Sequence, residues 1–239
     1  MAVDDMDMAD IKDFSPLEQR VGIEFGDRDL LTMAFVHRSY LNEHPSFRLE
    51  HNERLEFLGD AVLELAVTEH LYKNYPNPEG ELTNWRAALV NAISLAEVAQ
   101  ELELEKYLYL SRGEAKDSGS KARQYILANA MESFIGAVYL DKGMDAARVF
   151  IGKFVLSKLP YILEHRLYID PKSRFQENAQ EKAGVTPNYK VLGEEGPDHA
   201  KVFTVGAYLG GELVATGTGT SKQEAQVAAA ESALEAKGW

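Results

Sequence analysis

The chain of 239 residues contains no cysteine. This absence excludes a disulfide framework, a thiolate zinc site and a cysteine nucleophile, and it is consistent with a reducing cytoplasm. No apolar run approaches the ~20 residues that a membrane-spanning helix needs, and the amino terminus is acidic where a secretory signal would be basic. We therefore expect a cytoplasmic protein with no membrane partner.

A surplus of positive charge is also missing. The formal net charge is −13, of which residues 1–169 contribute −10 and residues 170–239 contribute −3. Taken alone, this balance argues against a partner as anionic as nucleic acid. A nucleic acid could bind only through local basic patches, through metal ions that offset the carboxylates, or through both.

The sequence divides into three segments of different texture. Residues 1–14 are rich in Asp and Met without periodicity, which predicts a disordered acidic segment. From 15 to 167 apolar residues recur with helical period, which predicts an all-α domain. From 168 to 239 a helix, three short β-forming runs separated by Gly, Pro and Asp turns, and an alanine-rich helix predict a small α+β domain of order α-β-β-β-α.

Three carboxylates share one face of a predicted helix. Glu53, Glu56 and Asp60 fall within about 60° of one another at ~100° per residue. Such carboxylates repel by roughly 0.2–0.5 kcal/mol per close pair, and a hard cation such as magnesium would offset the repulsion. Spacing alone favours the alternative, an ordinary solvated acidic face. The packing residues expected on the opposite side of this helix are Leu55, Leu58, Val62, Leu65 and Ala66.

Two residues of the same helix are atypical of a plain surface. Phe57 lies toward the carboxylates, and Gly59 costs ~1 kcal/mol relative to alanine, which indicates close approach by another group. A second polar pair, Asn129 and Glu132, shares a face of a later helix. Asparagine is unfavourable inside helices because its amide competes for backbone hydrogen bonds, so we expect Asn129 to have a partner.

Three stretches resemble bacterial ribonuclease III. They are HNERLEFLGDAVL from His51 to Leu63, VHRSY from Val36 to Tyr40, and YILANAMESFIGAVYLDKG from Tyr125 to Gly143, and the resemblance extends from about Leu17 to Trp239. It implies a homodimeric endoribonuclease that hydrolyses double-stranded RNA with Mg²⁺, or with Mn²⁺ as a substitute. The implied products carry 5′-phosphate and 3′-hydroxyl ends with short 3′ overhangs, and the implied role is the processing of ribosomal and messenger RNA precursors.

The resemblance also assigns roles in the nuclease domain. Glu56, Asp60 and Glu132 match the metal-ligating carboxylates, with Asn129 at the place of a fourth ligand. Asp60 and Glu132, together with Glu53 beside the metal site, are the expected catalytic residues. Phe57 matches an aromatic residue that inserts into a socket of the partner subunit.

Asn129 departs from the family pattern, which usually has Asp there. An amide oxygen can ligate magnesium but brings no negative charge, so metal affinity is expected to fall. Three explanations stay open: a tolerated natural variant, a crippled enzyme and a deliberate inactivating substitution. The main hypothesis is an active enzyme. The alternative is a catalytically weakened or inactive protein that still binds duplex RNA.

The carboxy-terminal segment resembles the double-stranded-RNA-binding domain, which reads the A-form geometry of duplex RNA. The match predicts that Gln176 and Glu177 face one minor groove and that His199 faces the next. Lys222, at the start of the last helix, is expected to contact phosphates. The family's basic cluster is thinned here, because Gln223 and Glu224 follow Lys222, so binding is expected to be modest and strongly salt-dependent.

Overall fold

The computed structural model describes residues 12–117, 119–197 and 201–239, and the described chain divides into two compact units with the boundary between His165 and Arg166. Most of the predicted acidic lead-in, residues 1–11, lies outside the described residues. The domain limits 15–167 and 168–239 stay predictions.

The first unit is helical. Within its described residues, nine α-helices are joined by loops and by short 3₁₀ helices at Leu104–Tyr107 and Leu156–Lys158. The α-helices are α1 Ser15–Val21, α2 Arg28–Met33, α3 Arg38–Glu43, α4 Glu53–Asn74, α5 Glu79–Val90, α6 Ala92–Glu101, α7 Arg112–Lys116, α8 Lys121–Phe154 and α9 Leu159–Glu164.

The core of this unit forms where α8 packs against α4 and α6. Phe134, in the middle of α8, is fully buried, and its ring lies 5.2–5.9 Å from those of Phe25, Phe35 and Phe150. Buried aromatic rings at these separations contribute about 0.5–1.5 kcal/mol per pair beyond their buried area. The long helix α8 is therefore the central element on which the others are positioned.

Helix α8 is kinked at Gly143, whose φ of 83° and ψ of 177° leave the helical region. This positive φ is accessible to glycine at little cost. Just before the kink, Asp141 accepts hydrogen bonds from the backbone N–H groups of Gly26 at 2.9 Å and Asp27 at 3.0 Å. The kink thus coincides with a fixed contact to the segment that precedes α2.

Of the five packing residues predicted for α4, three are buried, Leu58 is half-buried and one is exposed. Leu55, Val62 and Ala66 are buried, whereas Leu65 is 57% exposed. Leu65 lies two turns from Phe57 on a face of α4 that no other described element covers, and Tyr72 continues that face. The apolar repeat predicts burial of Leu65 wrongly, because a repeat gives the periodicity of apolar residues but not the width of the covered face.

The second unit has the order α-β-β-β-α. Helix α10 spans Pro171–Ala183 and α11 spans Lys222–Lys237, and between them β1 Asn188–Glu195, β2 Val202–Leu209 and β3 Glu212–Gly219 form an antiparallel sheet of order β1-β2-β3. The predicted fold class, an all-α domain followed by a small α+β domain, is confirmed.

The alanine-rich sequence of α11 has a packing reason. A Cβ atom on Gly217 of β3 would lie 2.1 Å from the backbone nitrogen of Ala229, so the helix rests directly on the strand. Phe175 of α10 fills the remaining space in a core that contains Ala225, Ala229 and Ala233. Small residues on α11 allow this close contact, and the large aromatic residue completes the packing.

Candidate nuclease centre and RNA-binding surface

The start of α4 is fixed by Asn52, a buried polar residue. Its backbone N–H donates to the carbonyl of Val36 at 2.9 Å, and its side-chain amide donates to the carbonyl of Ala34 at 3.2 Å. Its own carbonyl accepts hydrogen bonds from the N–H of Glu56 and, at 3.3 Å, from the hydroxyl of Ser133. Because buried polar groups are costly to leave unpaired, this network fixes the position of α4 relative to α8.

Two glycines allow α4 and α8 to touch backbone to backbone. A Cβ atom on Gly59 would lie 1.8 Å from the carbonyl oxygen of Glu132, and one on Gly136 would lie 2.4 Å from the carbonyl oxygen of Leu55. Both distances are far inside van der Waals contact, so no side chain fits at either position. The group predicted to approach Gly59 is therefore the backbone of α8 at Glu132.

This helix contact brings together the residues singled out from the two motifs. The side-chain amide of Asn129 donates a hydrogen bond to the carboxylate of Glu56, which gives Asn129 the partner expected of an asparagine inside a helix. Glu132 lies close enough to Asp60 and Glu56 for their charges to affect its ionisation. Glu56, Asp60, Asn129 and Glu132 thus form one cluster, here called the acidic cluster.

The acidic cluster resists full ionisation in the absence of a cation. Burial raises the pKa of Glu132 to about 7, and the negative charges of Asp60, Glu56 and Glu64 add to this shift. Burial also raises the pKa of Glu56, as do the charges of Glu53 and Asp60, while the hydrogen bond from Asn129 opposes the shift. A bound cation would relieve both the burial penalty and the repulsion.

The donor atoms of the acidic cluster suit a hard divalent cation. Carboxylate and amide oxygens are the protein ligands that Mg²⁺ and Mn²⁺ accept. Among the described residues, no group of three or more His, Asp or Glu side chains is already arranged to hold a metal ion. This is compatible with Mg²⁺, which commonly takes one or two carboxylates and completes its coordination with water and substrate oxygens.

Glu53, at the first turn of α4, is exposed and lies beside the acidic cluster. Its carboxylate lies 3.5 Å from a guanidinium nitrogen of Arg38 and 3.8 Å from Nδ1 of His51. His37, the other histidine of the motifs, caps α3 by accepting a hydrogen bond from the N–H of Ser39. Both histidines therefore make local contacts within the nuclease domain.

Two further residues of this region had not been singled out from the sequence. Glu64 lies one turn after Asp60 on α4, and Nε of Arg86 from α5 lies 2.9 Å from its Oε2 atom. The i, i+4 spacing from Asp60 was a signal that could have identified Glu64. The pairing with Arg86 depends on the packing of α5 against α4, which the sequence does not reveal.

Phe57 projects from α4 into solvent with 81% of its surface exposed. It shares its face with the exposed side chains of Leu65 and Tyr72. An exposed apolar stripe of this kind is typical of an interaction surface.

In the second unit the predicted RNA-binding residues lie on α10 and α11. Gln176 and Glu177 are exposed on α10, and Glu177 pairs with Arg166 at 3.0 Å. Gln176 and Gln223 line one cavity of about 320 Å³ between the two helices. His199 lies outside the described residues.

Lys222 begins α11, which is capped by the hydroxyl of Ser221 accepting from the N–H of Glu224 at 3.1 Å. The Nζ atom of Lys222 lies 3.3 Å from a carboxylate oxygen of Glu194 on β1. The expected phosphate-binding lysine is therefore partly neutralised, in addition to lacking further lysines beside it.

Across residues 12–117, 119–197 and 201–239, no helix combines the length and the apolar character that crossing a bilayer requires.

An all-helical domain with half-buried and exposed carboxylates gathered at the contact of two helices, followed by an α-β-β-β-α domain, defines a nuclease joined to an RNA-binding domain. Residues 27–159 match the family described as ribonuclease-III-like, and residues 171–237 match the double-stranded RNA binding motif. The chain belongs to the ribonuclease III family and is an endoribonuclease of that type. Enzymes of this family depend on divalent metal ions.

Relatives of nearly equal length support the assignment. The chain is 48% identical to ribonuclease 3 of Pelotomaculum thermopropionicum over 219 residues, which is 91% of this chain and 90% of the relative. It is 47% identical to ribonuclease 3 of Carboxydothermus hydrogenoformans over 221 residues, or 92% and 93% of the two chains. Both domains are therefore shared with these relatives.

A solved structure resembles the first domain. It is the nuclease domain of ribonuclease III from Campylobacter jejuni, which was described for structural flexibility in a region involved in dimer formation. The match has a TM-score of 0.54 and 36% sequence identity, and it covers 62% of this chain and 99% of that one.

Proposed function

We propose that the acidic cluster binds Mg²⁺, with Mn²⁺ as a substitute, and hydrolyses phosphodiester bonds of double-stranded RNA. The observation that carries this proposal is the glycine contact between α4 and α8, which brings Glu56 and Asp60 together with Asn129 and Glu132. Because the backbones of the two helices are in direct contact, the side chains of the cluster are held at a fixed separation. Hydrolysis requires a site that is preorganised in this way.

The residues have distinct parts in this proposal. Glu56, Asp60 and Glu132 offer carboxylate oxygens to the metal. The side-chain nitrogen of Asn129 donates a hydrogen bond to Glu56, which leaves the amide oxygen of Asn129 as its possible metal ligand. When held by these residues, Mg²⁺ would supply activation of a water and would offset charge on the phosphate and the leaving oxygen. Asp60 and Glu132 act as the catalytic carboxylates, together with Glu53 beside the metal site.

The second domain holds the duplex. We propose that Gln176, Glu177 and His199 contact the minor grooves and that Lys222 contacts phosphates, with the domain reading duplex shape instead of sequence. The pairing of Lys222 with Glu194 supports the expectation of modest, salt-dependent affinity.

A homodimer completes the activity. Phe57 of each subunit would insert into the other subunit, so that two acidic clusters face one duplex and each cuts one strand. Staggered cuts of this kind leave 5′-phosphate and 3′-hydroxyl ends with short 3′ overhangs. Precursors of ribosomal and messenger RNA in the cytoplasm are the proposed substrates.

A cleavage time course on a perfect RNA duplex in Mg²⁺ tests this function. The expected result is cutting by the wild type and the Glu97→Gln control, which changes an exposed charge on α6, and strong loss of cutting in Glu56→Gln and Asp60→Asn. Single-stranded RNA and duplex DNA should survive. Absence of cutting at every Mg²⁺ and Mn²⁺ concentration would refute an active enzyme.

The alternative, a duplex-RNA-binding protein weakened at Asn129, gives a different pattern. It predicts a gel shift without cutting by the wild type, and cutting by Asn129→Asp. Mobility shift and cleavage measured on the same two proteins therefore separate the hypotheses.

A further inference from the structure

Glu64 extends the acidic face of α4 beyond the residues assigned to the metal. At ~100° per residue it lies about 40° from Asp60 and about 20° from Glu53 around the helix axis. Glu64 is therefore on the same face as the acidic cluster, one turn further along α4.

The packing of α8 against α4 places Glu64 near the residues of the acidic cluster. The contact between Gly59 and Glu132 holds α8 against α4 midway between Glu56 and Glu64. Glu64 of α4 lies near enough to Glu132 of α8 for their charges to interact. Glu64 thus belongs to the electrostatic surroundings of the acidic cluster.

The side chain of Glu64 is held in place. Nε of Arg86 lies 2.9 Å from Oε2 of Glu64, and Nη1 of Arg86 donates to the hydroxyl of Thr68 at 2.9 Å. Arg86 thereby contacts α4 at two successive turns, and both partners of the ion pair are only about one-third exposed, at 34% and 38%. An arginine fixed at two points restricts the rotamers of its carboxylate partner.

The acidic cluster lacks one negative charge, and Glu64 is positioned to supply it. Asn129 contributes an amide where a carboxylate would add a negative charge, and its N–H is used in the hydrogen bond to Glu56. We propose that Glu64, positioned by Arg86, supplies the negative charge that Asn129 lacks and so maintains the affinity of the cluster for a divalent cation. The proposal rests on the proposed metal-binding function of the cluster.

In this role Glu64 acts through its charge and is a positioning residue, not a catalytic one. Outer partners of metal ligands typically change metal affinity by about 10–100-fold when they are removed. We expect Glu64→Gln to weaken Mg²⁺ binding about tenfold, at the lower end of that range, because Arg86 partly offsets the charge of Glu64.

Calorimetric titration of the full chain with Mg²⁺, without RNA, measures this effect. Glu64→Asp keeps the charge and should retain most of the affinity. Glu69→Gln is the matched control, because Glu69 is also on α4 and also pairs with an arginine of another helix, Arg148, at 2.9 Å. Its affinity for Mg²⁺ should equal that of the wild type.

The compensation itself is tested by combining Glu64→Gln with Asn129→Asp. This double variant has the same formal charge as the wild type in and around the cluster. It should bind Mg²⁺ within about threefold of the wild type, whereas Glu64→Gln alone should not.

The outcomes separate this inference from the proposed function. If Glu56→Gln loses Mg²⁺ binding while Glu64→Gln keeps it, the metal site stands and the role of Glu64 is refuted. If Glu64→Gln only lowers the unfolding temperature, equally with and without Mg²⁺, the residue is structural and the inference is again overturned. If Glu56→Gln and Asp60→Asn both bind Mg²⁺ normally, the proposed site itself is wrong.

Discussion

The backbone of Gly59 lies against the carbonyl oxygen of Glu132, so that even a methyl group at position 59 would come within 1.8 Å of that oxygen. Since neither helix backbone can move far without disturbing the buried Asn52 network, this contact sets the separation of the two halves of the acidic cluster. Gly59 is therefore required for the packing of α4 against α8, and this packing in turn forms the acidic cluster.

Gly59→Ala should separate α4 from α8. Overpacking of this kind costs about 1–3 kcal/mol, and more where the clash involves backbone on both sides. We expect a lower free energy of unfolding in urea denaturation and weaker Mg²⁺ binding by calorimetry. Gly152→Ala is the control, because no atom lies within 4 Å of its added Cβ. It should stabilise the helix by roughly 0.5–1 kcal/mol, and equal effects of the two substitutions would contradict this account.

The sequence predicted the acidic face of α4 and the unusual Gly59 because both follow from periodicity within one helix. It did not identify α8 as the element that approaches Gly59, nor Glu56 as the partner of Asn129, because contacts between helices distant in sequence depend on tertiary packing. The predicted burial of Leu65 is wrong for the same reason. The i, i+4 spacing from Asp60 indicates that Glu64 shares the acidic face, but its pairing with Arg86 arises only when α5 folds against α4.

The ionisation of Glu132 predicts an unusual pH dependence of stability in the metal-free protein. Its pKa is raised from 4.5 in the unfolded reference to about 7, so the folded state binds the proton more tightly than the unfolded state. Its contribution to stability is fully present below pH 4.5 and is lost as the pH rises through about 7. Glu132→Gln removes this loss.

Thermal unfolding in EDTA from pH 5 to pH 8 measures the effect. The advantage of Glu132→Gln over the wild type should grow with pH and reach about 1–2 kcal/mol, less than the full shift implies because solvent screens a partly exposed group. In Mg²⁺ the order should reverse, since the wild type gains stability from the bound cation. A pH-independent difference between the two proteins in EDTA would refute the shifted pKa.

Asn129→Asp should lower the metal requirement of the enzyme. The added carboxylate restores a negative charge to the cluster, and we expect the Mg²⁺ concentration for half-maximal cleavage to fall on the order of tenfold. The measurement is the initial rate of duplex cleavage as a function of Mg²⁺. If the Mg²⁺ dependence and the maximal rate are both unchanged, Asn129 does not limit the wild-type enzyme.

The contact between Lys222 and Glu194 predicts opposite effects of two substitutions on RNA affinity. Lys222→Gln removes a phosphate contact, so the slope of log affinity against log salt should fall by about one and binding should weaken about threefold. Glu194→Gln releases Lys222 from its carboxylate partner at 3.3 Å and should strengthen binding. Filter binding to a duplex RNA at several salt concentrations measures both, and weaker binding by Glu194→Gln would contradict the proposed competition.

Phe57→Ala should disrupt the proposed dimer without unfolding the subunit. Phe57 is 81% exposed within its own chain, so its removal takes little from the core of the subunit. Burial of a phenylalanine in a partner contributes about 1.5–3 kcal/mol, and its loss should weaken dimerisation by at least about tenfold. Sedimentation equilibrium gives the dimer dissociation constant. Val149→Ala, at another exposed apolar residue of the same domain, is the control and should leave the constant unchanged. If Phe57→Ala dimerises as tightly as that control, the partner subunit does not bind Phe57, and the exposed stripe of α4 has another purpose.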